Sequence, residues 1–220
     1  MDRFQFPKWT NQLRHVLGVV MLGGPIYLVL VFGLGASPST MNVGYAPEQP
    51  VPFSHKLHAG DLGLDCRYCH TSVEKGAFAA LPPTQTCMNC HERIKTDSPQ
   101  LAPVRKSWET GASIPWVKVH DLPQYAFFDH SAHVTRGIGC ASCHGRVDTM
   151  EVVQTVSPLS MGWCLDCHRN PEKHLRPRDQ ITNMSWDPVR DAGKTQEELG
   201  LELKTKWDIK PQTSCSTCHR

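Results

Sequence analysis

Apolar residues in this chain gather into one long run and are scattered after it. From Val16 to Ala36 no side chain carries a charge, and as a helix that stretch would cover about 30 Å, the thickness of a bilayer's hydrocarbon core. Beyond it the helical signals are short. Thr195-Gln-Glu-Glu198 reads as a capping box opening a helix that runs to about Lys206, with Leu199 and Leu203 on one face. Elsewhere 17 prolines and 16 glycines break the pattern into loops, and no substantial sheet is expected. A chain so rich in loop formers is short of material for an ordinary packed core. Something other than apolar side chains must fill it.

Arg3, Lys8 and Arg14 precede the apolar run, which predicts a cytoplasmic segment 1–15, a transmembrane helix 16–36 and emergence of the rest on the outer side. Phe4, Phe6 and Trp9 would lie at the cytoplasmic interface. A cleaved signal peptide also begins basic and continues apolar, but this run is longer than a usual signal core, so a retained single-pass anchor is expected. Gly18, Gly23, Gly24, Pro25, Gly33 and Gly35 within it allow close helix approach and predict packing against other membrane subunits. Residues 37–52, rich in Pro, Ser and Gly, predict an extended linker to a domain covering 53–220.

A formal charge of +2, with both signs dispersed, gives none of the basic striping that nucleic-acid binding requires. The cysteines change the picture. All ten fall into Cys-x-x-Cys pairs, Cys66/Cys69, Cys87/Cys90, Cys140/Cys143, Cys164/Cys167 and Cys215/Cys218, each followed at once by a histidine: His70, His91, His144, His168 and His219. In this spacing the two thiols can each add to a vinyl group of one haem while the histidine reaches its iron from one face. Five covalently bound haem c groups are therefore expected. The fold expected is that of a multihaem cytochrome c: short α-helices at the attachment sites, loops between them, a haem core and little or no sheet. Every cysteine is consumed, so no disulfide is predicted. Zinc ribbons use two pairs per metal and give no reason for five pairs or for the histidines. Thioredoxin-like motifs need a βαβ setting that is absent. A disulfide scaffold would not favour a single spacing.

The chain also repeats itself. Phe53-Ser-His55-Lys-Leu-His58 precedes two attachment sites, and Phe128-Asp-His130-Ser-Ala-His133 precedes the next two. The repeat units are about 53–91 and 128–168, a duplicated two-haem module extended by the site at 215–219.

Whether iron carries a second protein ligand decides between electron carriage and substrate chemistry. His15 adjoins the cytoplasmic end of the span, out of reach. Six histidines remain for five irons. His55/His58 and His130/His133 sit three apart, sharing the side of a helical turn, and with His120 they are the candidate distal ligands. His174, in a charged stretch, is expected to be a solvated spare. Met88, Met161 and Met184 are further possible ligands, with Met161 expected instead to be a packing residue.

Phe-x-His-x-x-His ahead of Cys-x-x-Cys-His resembles the class III multihaem cytochromes. That resemblance implies that His55 serves the haem of His70 and His130 that of His144, with His58 and His133 crossing to other haems. The whole layout is similar to the pentahaem subunit of alternative complex III, a quinol-oxidising complex of bacterial respiratory and photosynthetic chains. The shared residues are the single span, Phe53–His58, Cys66-Arg-Tyr-Cys-His70, Trp116-Val-Lys-Val-His120-Asp-Leu-Pro123, Met161–Pro171 and the C-terminal Cys-Ser-Thr-Cys-His219. It implies an iron–sulfur subunit, polytopic quinol-binding subunits and a monohaem cytochrome c as partners. It also implies a place in the bacterial inner membrane with the haem domain on the periplasmic side. The role implied is electron relay with no catalysis by the chain alone. Two competing readings are a self-contained quinol dehydrogenase, as in membrane-anchored tetrahaem cytochromes, and a multihaem reductase. The first places a haem against the span, where here 37–52 intervenes. The second uses Cys-x-x-Cys-Lys, which does not occur here.

Overall fold

The computed structural model describes residues 6–35 and 41–220. Arg3, Phe4, Ala36 and residues 37–40 of the expected linker lie outside that set. The chain divides into two compact units, Met1–Asn42 and Val43–Arg220. In the first, a 3-10 turn Lys8–Gln12 leads into α1, Leu13–Gly35, with Pro25 inside it and no buried side chain. Its 23 residues reach about 35 Å at 1.5 Å per residue, and the stretch Lys8–Gly35 is long and apolar enough to cross a membrane.

The second unit is helical and loop-rich. A π-helical turn covers Lys56–Asp61. The α-helices that follow are α2 (Cys66–Cys69), α3 (Thr84–His91), α4 (Ala102–Thr110), α5 (His130–Val134), α6 (Ala141–His144), α7 (Met161–Arg169), α8 (Pro188–Ala192), α9 (Gln196–Lys206) and α10 (Cys215–Cys218). Among the described residues the β-structure is a lone bridge between Ile138 and Leu175. Each Cys-x-x-Cys lies within or at the edge of a short helix, which keeps its two cysteines and the following histidine within about one turn.

Apolar burial is thin. Apart from Val134 and Ile181, the buried apolar side chains among the described residues form two small clusters. Leu175, Leu199, Leu203 and Ile209 are backed by Ile138, Trp186 and Trp207. Val51, Met88 and Val104 are backed by Leu101, Ile114 and Trp116. The first is built on α9, the longest helix of this unit. Thr195 caps it by accepting from Glu198 N–H, and the Glu198 carboxylate accepts from Thr195 N–H in return. Gly200 brings α9 onto the turn Pro171–Lys173, where a Cβ would run into the Glu172 carbonyl. Lys204 Nζ donates to the Glu172 carboxylate at 2.8 Å.

Residues 45–52, within the expected linker, lie outside any helix and are tied to the domain. Gly44 N–H donates to Thr155 O at 2.7 Å, Gln49 exchanges two hydrogen bonds with the Val117 backbone at 2.8 and 2.9 Å, and Val51 is buried. Met161, expected to pack, is 61% exposed at the start of α7.

Candidate haem-attachment sites

The two Phe-x-His-x-x-His segments have nearly the same geometry. Phe53 stacks on His58 at 4.3 Å between ring centres and meets His55 edge-on at 4.8 Å. Phe128 stacks on His133 at 4.6 Å and meets His130 edge-on at 4.8 Å. The second histidine of each pair donates Nδ1–H to the carbonyl four residues earlier, His58 to Ser54 at 2.8 Å and His133 to Asp129 at 2.7 Å.

The same device recurs at the attachment sites. His70 donates Nδ1–H to Ala80 O at 2.8 Å, His91 to Ile94 O at 3.1 Å, His168 to Gln212 O at 2.7 Å and His219 to Tyr125 O at 3.0 Å. His130 donates likewise to Ala77 O at 2.7 Å. A carbonyl can only accept, so each of these rings carries its proton on Nδ1 and presents a bare Nε2 lone pair. That tautomer, held by a backbone acceptor, is the one a metal-ligating imidazole needs.

Two imidazoles on opposite sides of one metal put their ring centres about 6 Å apart, from two metal–nitrogen bonds of about 2 Å and the ~1 Å from each nitrogen to its ring centre. His58 and His91 stand 6.2 Å apart, His130 and His144 6.3 Å with nearly parallel rings, and His133 and His168 6.0 Å. His55 and His70 are electrostatic neighbours: burial first, then His70 and His58, pushes His55 down to about 4. His144 is pushed down to about 3 by burial, then by His120, His130, His70 and His55. Crowded, neutral imidazoles of this kind suit a metal better than a proton.

A fit to haem can be tested on atoms the protein alone leaves unsatisfied. His55 Nδ1, His120 Nε2 and Arg176 Nε are buried without a hydrogen-bond partner. Burial lowers the proton affinity of Arg176, and its charge lies near Cys140. Gly139 makes room for it, since a Cβ there would strike the guanidinium. A partly buried cation beside an attachment cysteine fits a haem propionate, and the buried, unpartnered Nε2 of His120 fits iron. Among the described residues no group of three or more His, Cys, Asp or Glu could hold a bare metal ion. The residues fit haem.

Four further residues singled out in the sequence are placed as follows. His120 lies 4.4 Å from His144 with perpendicular rings, too close to sit across an iron from it. His174 is half-buried, and burial lowers its proton affinity, so it is no solvated spare. Met88 is in the apolar core and Met184 lines a cleft beside Cys66. Sequence reasoning missed Arg176, whose charged surroundings in His174-Leu-Arg-Pro gave no sign of burial. It also missed Asp65, which caps α2 by accepting from Arg67 N–H at 2.8 Å and binds the Arg67 side chain and the Thr182 hydroxyl.

Residues 126–220 match the family described as cytochrome c7 and related cytochrome c, and residues 35–110 match the class III cytochrome C family. The multihaem cytochrome c subunit of menaquinone reductase from Nitratidesulfovibrio vulgaris is 37% identical over 121 residues, 54% of this chain and 55% of that relative. The match thus spans about half of that relative's length. The cytochrome c-type protein NrfB of Escherichia coli O6:H1 is 30% identical over 140 residues, 57% of this chain and 69% of NrfB.

Proposed function

Since the chain belongs to the class III and cytochrome c7-like multihaem cytochromes c, we propose that it holds five haems and is the electron-relay subunit of a membrane quinol-oxidising complex. Each Cys-x-x-Cys-His is assigned one covalent haem c, with no catalysis by the chain alone. The observation that carries this reading is the set of imidazoles after the cysteine pairs. Four of the five are locked by a backbone carbonyl into the tautomer that offers Nε2, and the fifth, His144, faces His130 at ligand spacing.

Bound haem would supply reversible one-electron chemistry at iron. The chain's own part is to hold, orient and seal. The ten cysteines tether. His70, His91, His144, His168 and His219 are the proximal ligands. His58, His130 and His133 are assigned opposite His91, His144 and His168 from their spacing, and His55 opposite His70 from the class III resemblance and their proximity. His120 is the remaining distal candidate. With haem bound, a protein imidazole on each side of an iron would leave no open coordination place for a substrate, which favours carriage over catalysis.

Residues 16–36 are assigned as a single membrane anchor with Lys8 and Arg14 on the cytoplasmic side, putting 53–220 on the periplasmic face of a bacterial inner membrane. The likeness to the pentahaem subunit of alternative complex III supports quinol-binding, iron–sulfur and monohaem cytochrome subunits as partners. A second reading reverses the flow. One relative is named as a menaquinone reductase subunit, and a complex of that kind would deliver electrons to the quinone through this chain.

The test is made on the purified complex and on the detergent-solubilised chain. A pyridine haemochrome assay should give five haems per chain, and a quinol should reduce the haem bands in the complex but not in the chain alone. Fewer haems would overturn the five-site assignment. Quinol reduction by the chain alone would overturn the relay. A complex that ignores quinol yet passes electrons to menaquinone would establish the second reading.

A further inference from the structure

Granting that all five cysteine pairs are filled, we propose that the attachment sites form one unbranched row. Counted along the chain, its order is second, first, third, fourth, fifth. Cys87–His91 and Cys215–His219 are then its two ends, and the two modules meet through their first sites.

Each step in the row rests on a contact. The second and first sites are joined by the residues between their own cysteines, Asn89 Nδ2 donating to Tyr68 Oη at 3.2 Å. His55 and His58, which flank a single turn, also link them, His58 facing His91 and His55 lying near His70. The first and third sites are joined three times. His130, which faces His144, donates both its backbone N–H and Nδ1–H to Ala77 O in the loop after His70. Cys140 N–H donates to Ile181 O at 3.0 Å, while the next residue, Thr182, donates to Asp65, the cap of α2. The side chains of Cys66 and Cys140 also lie beside each other.

The third and fourth sites share α5, from which His130 faces His144 and His133 faces His168. The fourth and fifth are joined where His168 donates to Gln212 O, three residues before Cys215. Modules stacked in chain order would instead bring the second site against the third. Among the described residues no hydrogen bond or ring contact joins 84–94 to 130–150. Exposure agrees with the order: of the ten cysteines only Cys90 and Cys215 are exposed, one at each end.

This order makes the two ends the places where redox partners would dock, and they belong to different modules. The α3–α4 surface carries one end. The other is carried by α10, stapled to the 125–127 loop by Phe127 N–H donating to Cys218 O at 2.7 Å and by Arg220 over the Phe127 ring at 4.1 Å.

The test is a density map of the haem-loaded full-length chain in detergent, each iron identified by its cysteine pair. The iron of His70 should have those of His91 and His144 as its two nearest, and the irons of His91 and His219 should each have a single near neighbour. An iron of His91 adjacent to that of His144, or a closed cluster, would overturn the row. Electron paramagnetic resonance gives an independent check. Cys87→Ser with Cys90→Ser should change the signal of one remaining haem, and Cys66→Ser with Cys69→Ser the signals of two. Two changed signals from the first variant, or one from the second, would overturn the order. An iron missing from an unmutated pair would overturn the five-haem reading instead, and the neighbours of the irons present would still decide the row.

Discussion

The segments 53–91 and 128–168 share a plan yet differ in how firmly one ring is held. In both, a phenylalanine stacks on the second histidine and meets the first edge-on, with centre distances that agree within a few tenths of an ångström. The second histidine is bonded to its own turn in each. The first is not treated alike: His130 donates Nδ1–H to Ala77 O, a carbonyl of the other module, whereas His55 Nδ1 is buried with no partner. A repeated motif therefore does not produce a repeated environment. The junction between modules serves the ligand of one copy and leaves that of the other without its orienting acceptor.

The largest test of that likeness is ligand exchange. His58→Met and His133→Met should each raise one haem's potential by on the order of 100 mV, since a thioether favours ferrous iron more than an imidazole does. Redox titration should show similar rises in both copies. A large rise in one and none in the other would show that only one of these histidines is a ligand.

The packing beneath the copies should differ in strength. Leu175, fully buried under α9, should cost about 2–5 kcal/mol on replacement by alanine. Val104→Ala in the smaller cluster beside α3 should cost about 1–3 kcal/mol, because fewer atoms are removed. Thermal or denaturant unfolding of the holoprotein measures both, and equal losses would contradict the difference in cluster size. Gly200→Ala should destabilise by about 1–3 kcal/mol by driving α9 away from Glu172 O. Gly162→Ala in α7, where nothing lies in the way of a Cβ, is the control and should be near neutral.

The smallest effect is expected from acid. Asp65 is held down to about 2, chiefly by its hydrogen bond from the Arg67 side chain. Its folded value is below its unfolded one, so its contribution is complete above about pH 4 and is lost as pH falls towards 2. Asp65→Asn should remove that part of the acid sensitivity, seen as a flatter stability–pH curve below pH 4. No equivalent carboxylate cap stands before Cys140, where α6 begins without a side-chain cap.

Much of the local structure could be read from the chain. The capping box at Thr195, the helix ending at Lys206 and the short helices around the cysteines follow from spacing and side-chain chemistry, which act within a turn or two. What escaped was long-range. The Asp65–Thr182 bond spans 117 positions and that of Gln49 with Val117 spans 68, and no periodicity encodes such partners. His174 was misjudged in a similar way: its charged neighbours in sequence suggest water, yet it is half-buried at the end of the Pro171–Lys173 turn. The order of the attachment sites depends wholly on contacts of this kind.

The nearness of the Cys66 and Cys140 side chains carries a consequence for how the protein is made. In a chain that folded before receiving its cofactors, an oxidising compartment would be free to join those two sulfurs, and a crosslink there would bar two attachment reactions together. Attaching the cofactors to a reduced, still open polypeptide avoids that trap, because the fold is then reached with its thiols already spent.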